Sequence, residues 1–170
     1  MLRLLEEWKL NLDQGNFVGA ILMDLSKAFD CIDHDLLIAK LDSYGFDKSA
    51  LMYLYSYLKG RRQCVKINNS YSKYLTIIAG VPQGSILGPI IFNIFINDLY
   101  YIIKQANLHG YADDHTITGS AKELNSLKII LCNDSNKAID WLNENKMLAN
   151  PSKFQAIVLN KSKEVIETIF

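Results

Sequence analysis

The sequence predicts an α+β fold for this chain of 170 residues, on three observations. Segments with helical apolar spacing are mixed with short β-rich runs joined by tight turns, which fits antiparallel hairpins better than a doubly wound sheet. Hydrophobic residues make up 49% of the chain and charged residues 21%, enough to bury a real core and to exclude overall disorder. No internal repeat, low-complexity tract or linker breaks the pattern, and the length suits one domain or a large part of one.

Residues 1–11 carry Leu4, Leu5 and Trp8 at helical spacing, with Leu12 just beyond, and Asp13-Gln14-Gly15-Asn16 is a turn cluster. Phe17 to Met23 is a brief apolar run that ends at Asp24, so it reads as a buried strand. Leu36, Leu37, Lys40, Leu41 and Tyr44 mark a helix stopped by Gly45. Asp47 or Ser49 can cap the next helix, which runs through Leu51, Leu54, Tyr55 and Leu58 to Gly60. Residues 61–67 and 71–78 are β-rich around Asn68-Asn69-Ser70, a hairpin signal. A Gly/Pro-rich loop, GVPQGSILGP, leads into a mostly buried helix over residues 90–103. Residues 108–112 and 115–118 are short strands flanking Asp113-Asp114 at a tight turn. The longest helical pattern covers residues 121–145. A turn at Asn150-Pro151-Ser152-Lys153 then precedes a last strand over residues 154–159.

Several classes are excluded on composition. The best apolar stretch, residues 86–96, is broken by Pro89 and Asn93, short of the roughly 18 uninterrupted apolar residues of a spanning helix. The first residues include Glu6, Glu7 and Asp13 and lack the order of a signal peptide, so a soluble intracellular protein with no membrane partner is expected. Three cysteines, at 31, 64 and 132, form no CxxC and suit a reducing compartment. Lys and Arg number 18 against 18 Asp and Glu, whereas a protein that grips nucleic acid through phosphates is usually basic overall.

The carboxylates stand out. Asp24 ends a buried strand, and Asp113-Asp114 lies on a hairpin turn. Charges at the exits of buried strands are costly unless compensated. If the two strands are neighbours, like-charged carboxylates meet there and need a metal or a proton. Two divalent ions about 3.5–4 Å apart, clamped by carboxylates, are the usual apparatus of nucleotidyl transfer. All-oxygen ligands suit Mg²⁺. Taken alone, the Asp pair is better explained by turn chemistry, and Asp24 can likewise be a helix cap. Gly80-Val81-Pro82-Gln83-Gly84-Ser85, with Gly88-Pro89 opening a helix, lets backbone approach a flat ligand, with Gln83 as both donor and acceptor. Alone, it reads better as helix-start punctuation.

Together the motifs MDLSKAFDCIDH (residues 23–34), GVPQGSILGPIIFNIFINDL (80–99) and YADD (111–114), in this order, resemble the palm of reverse transcriptases. The similarity is to the non-LTR retrotransposon type, with group II intron enzymes more distant. NPSKFQAIVL (150–159) resembles the motif that follows. The resemblance implies an antiparallel polymerase palm over about residues 17–159, within a partial reverse transcriptase domain spanning 1–170 and with fingers and thumb largely missing. It implies that Asp24, Asp113 and Asp114 hold two Mg²⁺ ions (Mn²⁺ being an alternative), with Asp24 and Asp113 bridging and Asp114 more peripheral. Leu25 would add a backbone carbonyl to a metal. Phe29 would be the aromatic gate against a 2′-hydroxyl, Gln83 would touch nucleotide and template, and Lys153 would donate a proton to the leaving pyrophosphate. Asp30, Asp33 and His34 suit capping before a helix, and His115 a hairpin position.

The expected activity is RNA-directed DNA polymerisation, with RNA template, DNA primer and dNTP as partners. Lys59, Arg61 and Arg62, extended by Lys66 and Lys73, form the one compact basic cluster for nucleic-acid phosphates, although a solvated helix end explains it as well. Tyr53, Tyr55 and Tyr57 fit packing better than base stacking. With little sequence before Asp24 and only NKSKEVIETIF after Leu159, a fragment of a larger retrotransposon polyprotein is expected. The alternative is a truncated remnant without catalysis that binds nucleic acid or a partner. An RNA-dependent RNA polymerase sits poorly with the bulky Phe29, and a nucleotide cyclase would not need the VPQG loop.

Overall fold

The computed structural model describes residues 2–25, 27–148 and 153–160, so Asn150, Pro151 and Ser152 of the proposed turn lie outside the described residues. The chain divides into two compact units. Unit 1 takes residues 1–26, 97–144 and 148–170, and unit 2 takes 27–96 and 145–147.

Unit 1 is a four-stranded antiparallel sheet with helices. Its order is β6-β7-β1-β8, with β1 Phe17–Asp24, β6 Asn107–Tyr111, β7 Asp114–Ala121 and β8 Gln155–Leu159. The helices are α1 Leu2–Asp13, the short α5 Leu99–Ile102 and α6 Leu124–Glu144. β1 is the inner strand, pairing with β7 on one side and β8 on the other. Its continuous apolar run is therefore the buried strand that the sequence indicated, with Val18, Ala20, Ile21 and Met23 all buried. α6 packs on β1 and β7 through Leu127 and Leu131. Gly19 and Gly119 are cross-strand partners beneath it, and a Cβ at Gly19 would lie 2.6 Å from the Leu131 Cδ1. Two facing residues without side chains thus let the helix sit close on the sheet.

A buried carboxylate ties α6 to the loop before β6. Asp134 is fully buried, and its Oδ2 accepts from the backbone N–H groups of Lys104, Gln105 and Ala106 at 3.1, 2.7 and 2.8 Å. Its Oδ1 takes a 2.8 Å ion pair from Lys137, one helical turn on. Burial pushes the Asp134 pKa up, but the bonds from Lys137 and the loop amides prevail and hold it below the usual carboxylate value.

Unit 2 holds α2 His34–Ser43, α3 Lys48–Leu58 and α4 Leu87–Ile96, with four two-residue strands, β2 Arg62–Gln63, β3 Lys66–Ile67, β4 Ser70–Tyr71 and β5 Leu75–Thr76. Asp33 caps α2 by accepting from the Leu36 N–H at 2.9 Å, and Asp47, not Ser49, caps α3 through the Ala50 N–H at 2.9 Å. The Lys146 ammonium, 2.7 Å from Asp33, together with the Leu36 amide, holds the Asp33 pKa below its ordinary value. The helix expected over residues 90–103 is two helices. The break at Asn97-Asp98 falls where the chain passes from unit 2 to unit 1.

The expected hairpin is present, with Asn68 in the left-handed region at φ 52 and Ile67 opposite Ser70. Its ladder is interrupted. Ser72 N–H donates to the Val65 carbonyl at 2.9 Å, while Gln63 pairs with Leu75, so Cys64 faces both Lys73 and Tyr74 in a β-bulge.

Gly80 joins two of the sequence motifs. Its N–H donates to the Ile32 carbonyl at 2.8 Å, and the next residue, Val81, donates to Phe29 at 2.9 Å. Gly80 has φ 81, and a Cβ there would lie 2.7–2.9 Å from Asp30 backbone atoms. Gly80→Ala is expected to destabilise unit 2 by at least about 1–3 kcal/mol from the backbone conformation alone, read as a lower thermal midpoint. An unchanged midpoint would contradict this packing.

Candidate active site

The β1–β7 register places Asp24 directly opposite Asp114, at the open end of the sheet. Tyr111 pairs with Asp114 across the β6–β7 hairpin, so the two turn residues are Ala112 and Asp113. The Asp pair therefore straddles the turn, with Asp113 in it and Asp114 starting β7. Ala112 holds φ 53, a left-handed position usually given to Gly or Asn. Such a residue costs on the order of 1–3 kcal/mol and persists only where its surroundings enforce it.

All three carboxylates are exposed, while the layer behind them is buried. His115 is 2% exposed, pairs with Met23 across the sheet and meets the Tyr100 ring edge-on with centroids 6.4 Å apart. Burial lowers the His115 pKa against the opposing pull of Asp113 and Asp114, so the ring is neutral at pH 7. Burial raises the Tyr100 phenol. His115 is thus a packed hairpin residue, as its position suggested. Tyr100, which meets His115 edge-on while staying 42% exposed, carried no signal in the sequence.

Lys153 Nζ stands 3.3 Å from the Asp24 Oδ2, both side chains being about half exposed at 55% and 50%. An ion pair in that setting contributes only about 0–1 kcal/mol. Leu25 follows Asp24 with its side chain buried.

The donor chemistry fits a hard divalent cation. Like charges directly opposite one another on a sheet are unfavourable. Lys153 pairs with Asp24, and the outward groups alongside are carboxylate oxygens without thiol or imidazole. Among the described residues no group of three or more His, Cys, Asp or Glu side chains is gathered to hold a metal ion as they stand; Asp24 and Asp114 are register partners, and Asp113 lies in the adjoining turn.

Unit 2 carries the other candidates. The Phe29 ring packs on Phe92 with centroids 4.6 Å apart and planes tilted by 31°, which fixes its orientation. Gln83 is exposed and donates through Nε2 to the Asp30 carboxylate at 2.9 Å. Asp30 thus positions Gln83 rather than capping α2. Ser85, the last residue of the Gly80–Ser85 motif, accepts from the Gly88 N–H at 3.0 Å just ahead of α4. A cleft of about 680 Å³ is lined by Lys27, Asp30, Arg61, Gln63, Thr76 and Gln83, among others, a size that suits a nucleotide-sized ligand.

The basic cluster is divided among intramolecular partners. Lys59 pairs with Asp35 at 2.8 Å, which raises its pKa. Arg61 donates to the Gly80 carbonyl at 3.0 Å, and the Arg62 guanidinium lies 5.4 Å from the Tyr74 ring centroid. His34, buried, also meets the Gly80 carbonyl through Nε2 at 2.8 Å. Among the described residues no helix is long and apolar enough to cross a membrane.

Comparison with known proteins bears on the family and the fold. The sequence profile of the family described as "Reverse transcriptase (RNA-dependent DNA polymerase)" matches residues 3–166. A "Probable RNA-directed DNA polymerase from transposon BS" of Drosophila melanogaster is 39% identical over 109 residues, which is 60% of this chain and 12% of that protein. The "RNA-directed DNA polymerase from mobile element jockey" of the same organism is 37% identical over 114 residues, covering 63% of this chain and 12% of the relative. These matches thus take in about an eighth of the relatives' length. Among solved structures, a telomerase from Candida tropicalis in complex with a fragment of telomeric RNA superposes with a TM-score of 0.67 at 13% identity, over 96% of this chain and 32% of that one. That likeness shows an α+β polymerase-like fold. With a family profile that spans nearly all of its length and transposon relatives over more than half of it, the chain belongs to the reverse transcriptase family, of the non-LTR retrotransposon type.

Proposed function

We propose that this chain is the palm, about residues 17–159, of an RNA-directed DNA polymerase, and that it acts within a longer protein to join a deoxynucleoside triphosphate to a primer 3′-hydroxyl on an RNA template. The register that sets Asp24 opposite Asp114, with Asp113 next in the turn, is the observation that carries this reading. The length of the transposon relatives supports the longer protein.

Asp24, Asp113 and Asp114 would hold two divalent ions, Mg²⁺ by donor chemistry, with the Leu25 carbonyl as a further oxygen. Once bound, such ions acidify the primer hydroxyl and stabilise the leaving oxygen. The protein's own work is placement and charge compensation. Lys153, already beside Asp24, carries a proton on Nζ that it can pass to the departing pyrophosphate. Gln83, steadied by Asp30, presents an amide with both donor and acceptor to the nucleotide and template. Lys59, Arg61 and Arg62 would meet backbone phosphates, in competition with the partners they have now.

Phe29 would exclude ribonucleotides by clash, a role helped by the Phe92 ring that fixes its tilt. Phe29→Ala is expected to raise ribonucleotide use relative to deoxynucleotide use. The check is a competition assay on a primed RNA template, with fingers and thumb supplied. An unchanged ratio removes the gate from Phe29 while leaving the carboxylate assignment standing.

A further inference from the structure

We propose that the unit 2 hairpin, residues 61–77, is a docking surface for single-stranded RNA, with Tyr71 and Tyr74 as stacking platforms and Arg62, Lys66 and Lys73 as phosphate contacts. The identity of the strand as RNA rests on the polymerase reading above. The surface itself rests on four observations within unit 2.

Charge comes first. Residues 59–78 contain Lys59, Arg61, Arg62, Lys66 and Lys73 and no Asp or Glu, in a chain whose formal charge is zero. The remainder is therefore net acidic, and this segment stands out as the place for a polyanion.

Exposure is the second. Tyr71 is 60% exposed and Tyr74 57%, beside Val65, Ile67 and Leu75, which are more open still. A cluster of apolar side chains left in water on short ladders marks an interaction site more often than a packing element.

The third is the pairing of cations with rings. Lys66 Nζ lies 5.2 Å from the Tyr71 centroid and the Arg62 guanidinium 5.4 Å from that of Tyr74. Each ring thus has a cation at one face, while its high exposure leaves area for a base. Stacked bases with a cation nearby for the phosphate are the recognition mode of single strands, whose bases are free to stack on protein. The bulge that sets Lys73 and Tyr74 together opposite Cys64 adds local twist and re-aims both side chains.

Continuity is the fourth. Gln63 of β2 and Thr76 of β5 line the cleft that also contains Gln83. A strand lying on the hairpin therefore leads into that cleft. A protein partner would use the same apolar residues, but the hairpin's four cations, Arg61, Arg62, Lys66 and Lys73, with no acid among its own residues, favour a polyanion.

The test is fluorescence anisotropy of a labelled, unstructured 12-nucleotide RNA with the whole chain, at low salt and in EDTA without nucleotide. Tyr71→Ala and Tyr74→Ala are each expected to weaken binding about 5- to 150-fold, with Tyr→Phe at either position close to wild type. Lys66→Ala and Lys73→Ala should each flatten the logarithmic salt slope by about 0.7. Thermal midpoints measured in parallel confirm that these surface variants fold. Alanine variants that bind like wild type would overturn the proposal, as would a wild-type chain that binds no RNA or binds a duplex equally well. A chain that ignores RNA but captures anionic vesicles would overturn it too. Because neither metal nor nucleotide is present, failure here leaves the carboxylate reading intact, and failure of that reading leaves this one intact.

Discussion

Asp113→Asn is expected to cut Mg²⁺-dependent dNTP incorporation by at least about a thousand-fold, on the order of 4 kcal/mol of barrier, when fingers and thumb are supplied. Asn keeps the size and turn preference of Asp but loses the charge that a divalent ion requires. Stability should move the other way. Asp24 and Asp114 are directly opposed in the β1–β7 ladder, and like charges so placed are unfavourable. Asp114→Asn is therefore expected to leave the thermal midpoint unchanged or raise it slightly, by the equivalent of about 0.2–1 kcal/mol. A variant that loses incorporation because it unfolds would show the opposite sign. Full incorporation by Asp113→Asn would instead remove Asp113 from the metal site and contradict the carboxylate assignment.

Asp134→Ala carries the largest expected effect on stability. The carboxylate is fully buried, and its removal leaves the Lys104, Gln105 and Ala106 amides without their acceptor and Lys137 without its partner. Breaking a buried, hydrogen-bonded charge in this way costs about 3–5 kcal/mol, a large share of a domain's total. The sign of its pH dependence follows from the lowered pKa. The stabilisation is fully present above the unfolded-state value near 3.8 and is lost as pH falls through the lower folded-state value. Chemical denaturation at pH 7 and in the acid range checks both points. The gap between wild type and variant should narrow on acidification, and a constant gap would contradict the assignment.

Much of this arrangement was legible in the sequence because its elements carry local signals. The apolar run 17–23 bounded by Gly15-Asn16 and Asp24 announced the inner strand, and Asp33 and Asp47 stand where helix caps belong. The candidate carboxylates were visible because charge at the end of a buried strand is unusual. Their adjacency was conditional on strand pairing, which local pattern does not encode, and the register supplies it.

What stayed hidden was set by tertiary partners. Asp134 lies in a helical pattern like any surface acid, and only the incoming loop amides give it a role. Asp30 is fixed by Gln83, 53 positions away, rather than by the helix beside it. The helix over residues 90–103 divides because the chain changes units at Asn97, although its apolar spacing continues. In the hairpin the two β-rich runs were evident, but the extra residue that makes the bulge shows only once pairing is known.

The most direct measurement is calorimetric titration of Mg²⁺ into the chain with a saturating dNTP, alongside Asp24→Asn and Asp113→Asn. The account predicts metal binding by the wild type that is lost in both variants, since each removes one of the carboxylates placed at the end of β1 and in the β6–β7 turn. Heats that are the same in all three proteins would contradict it.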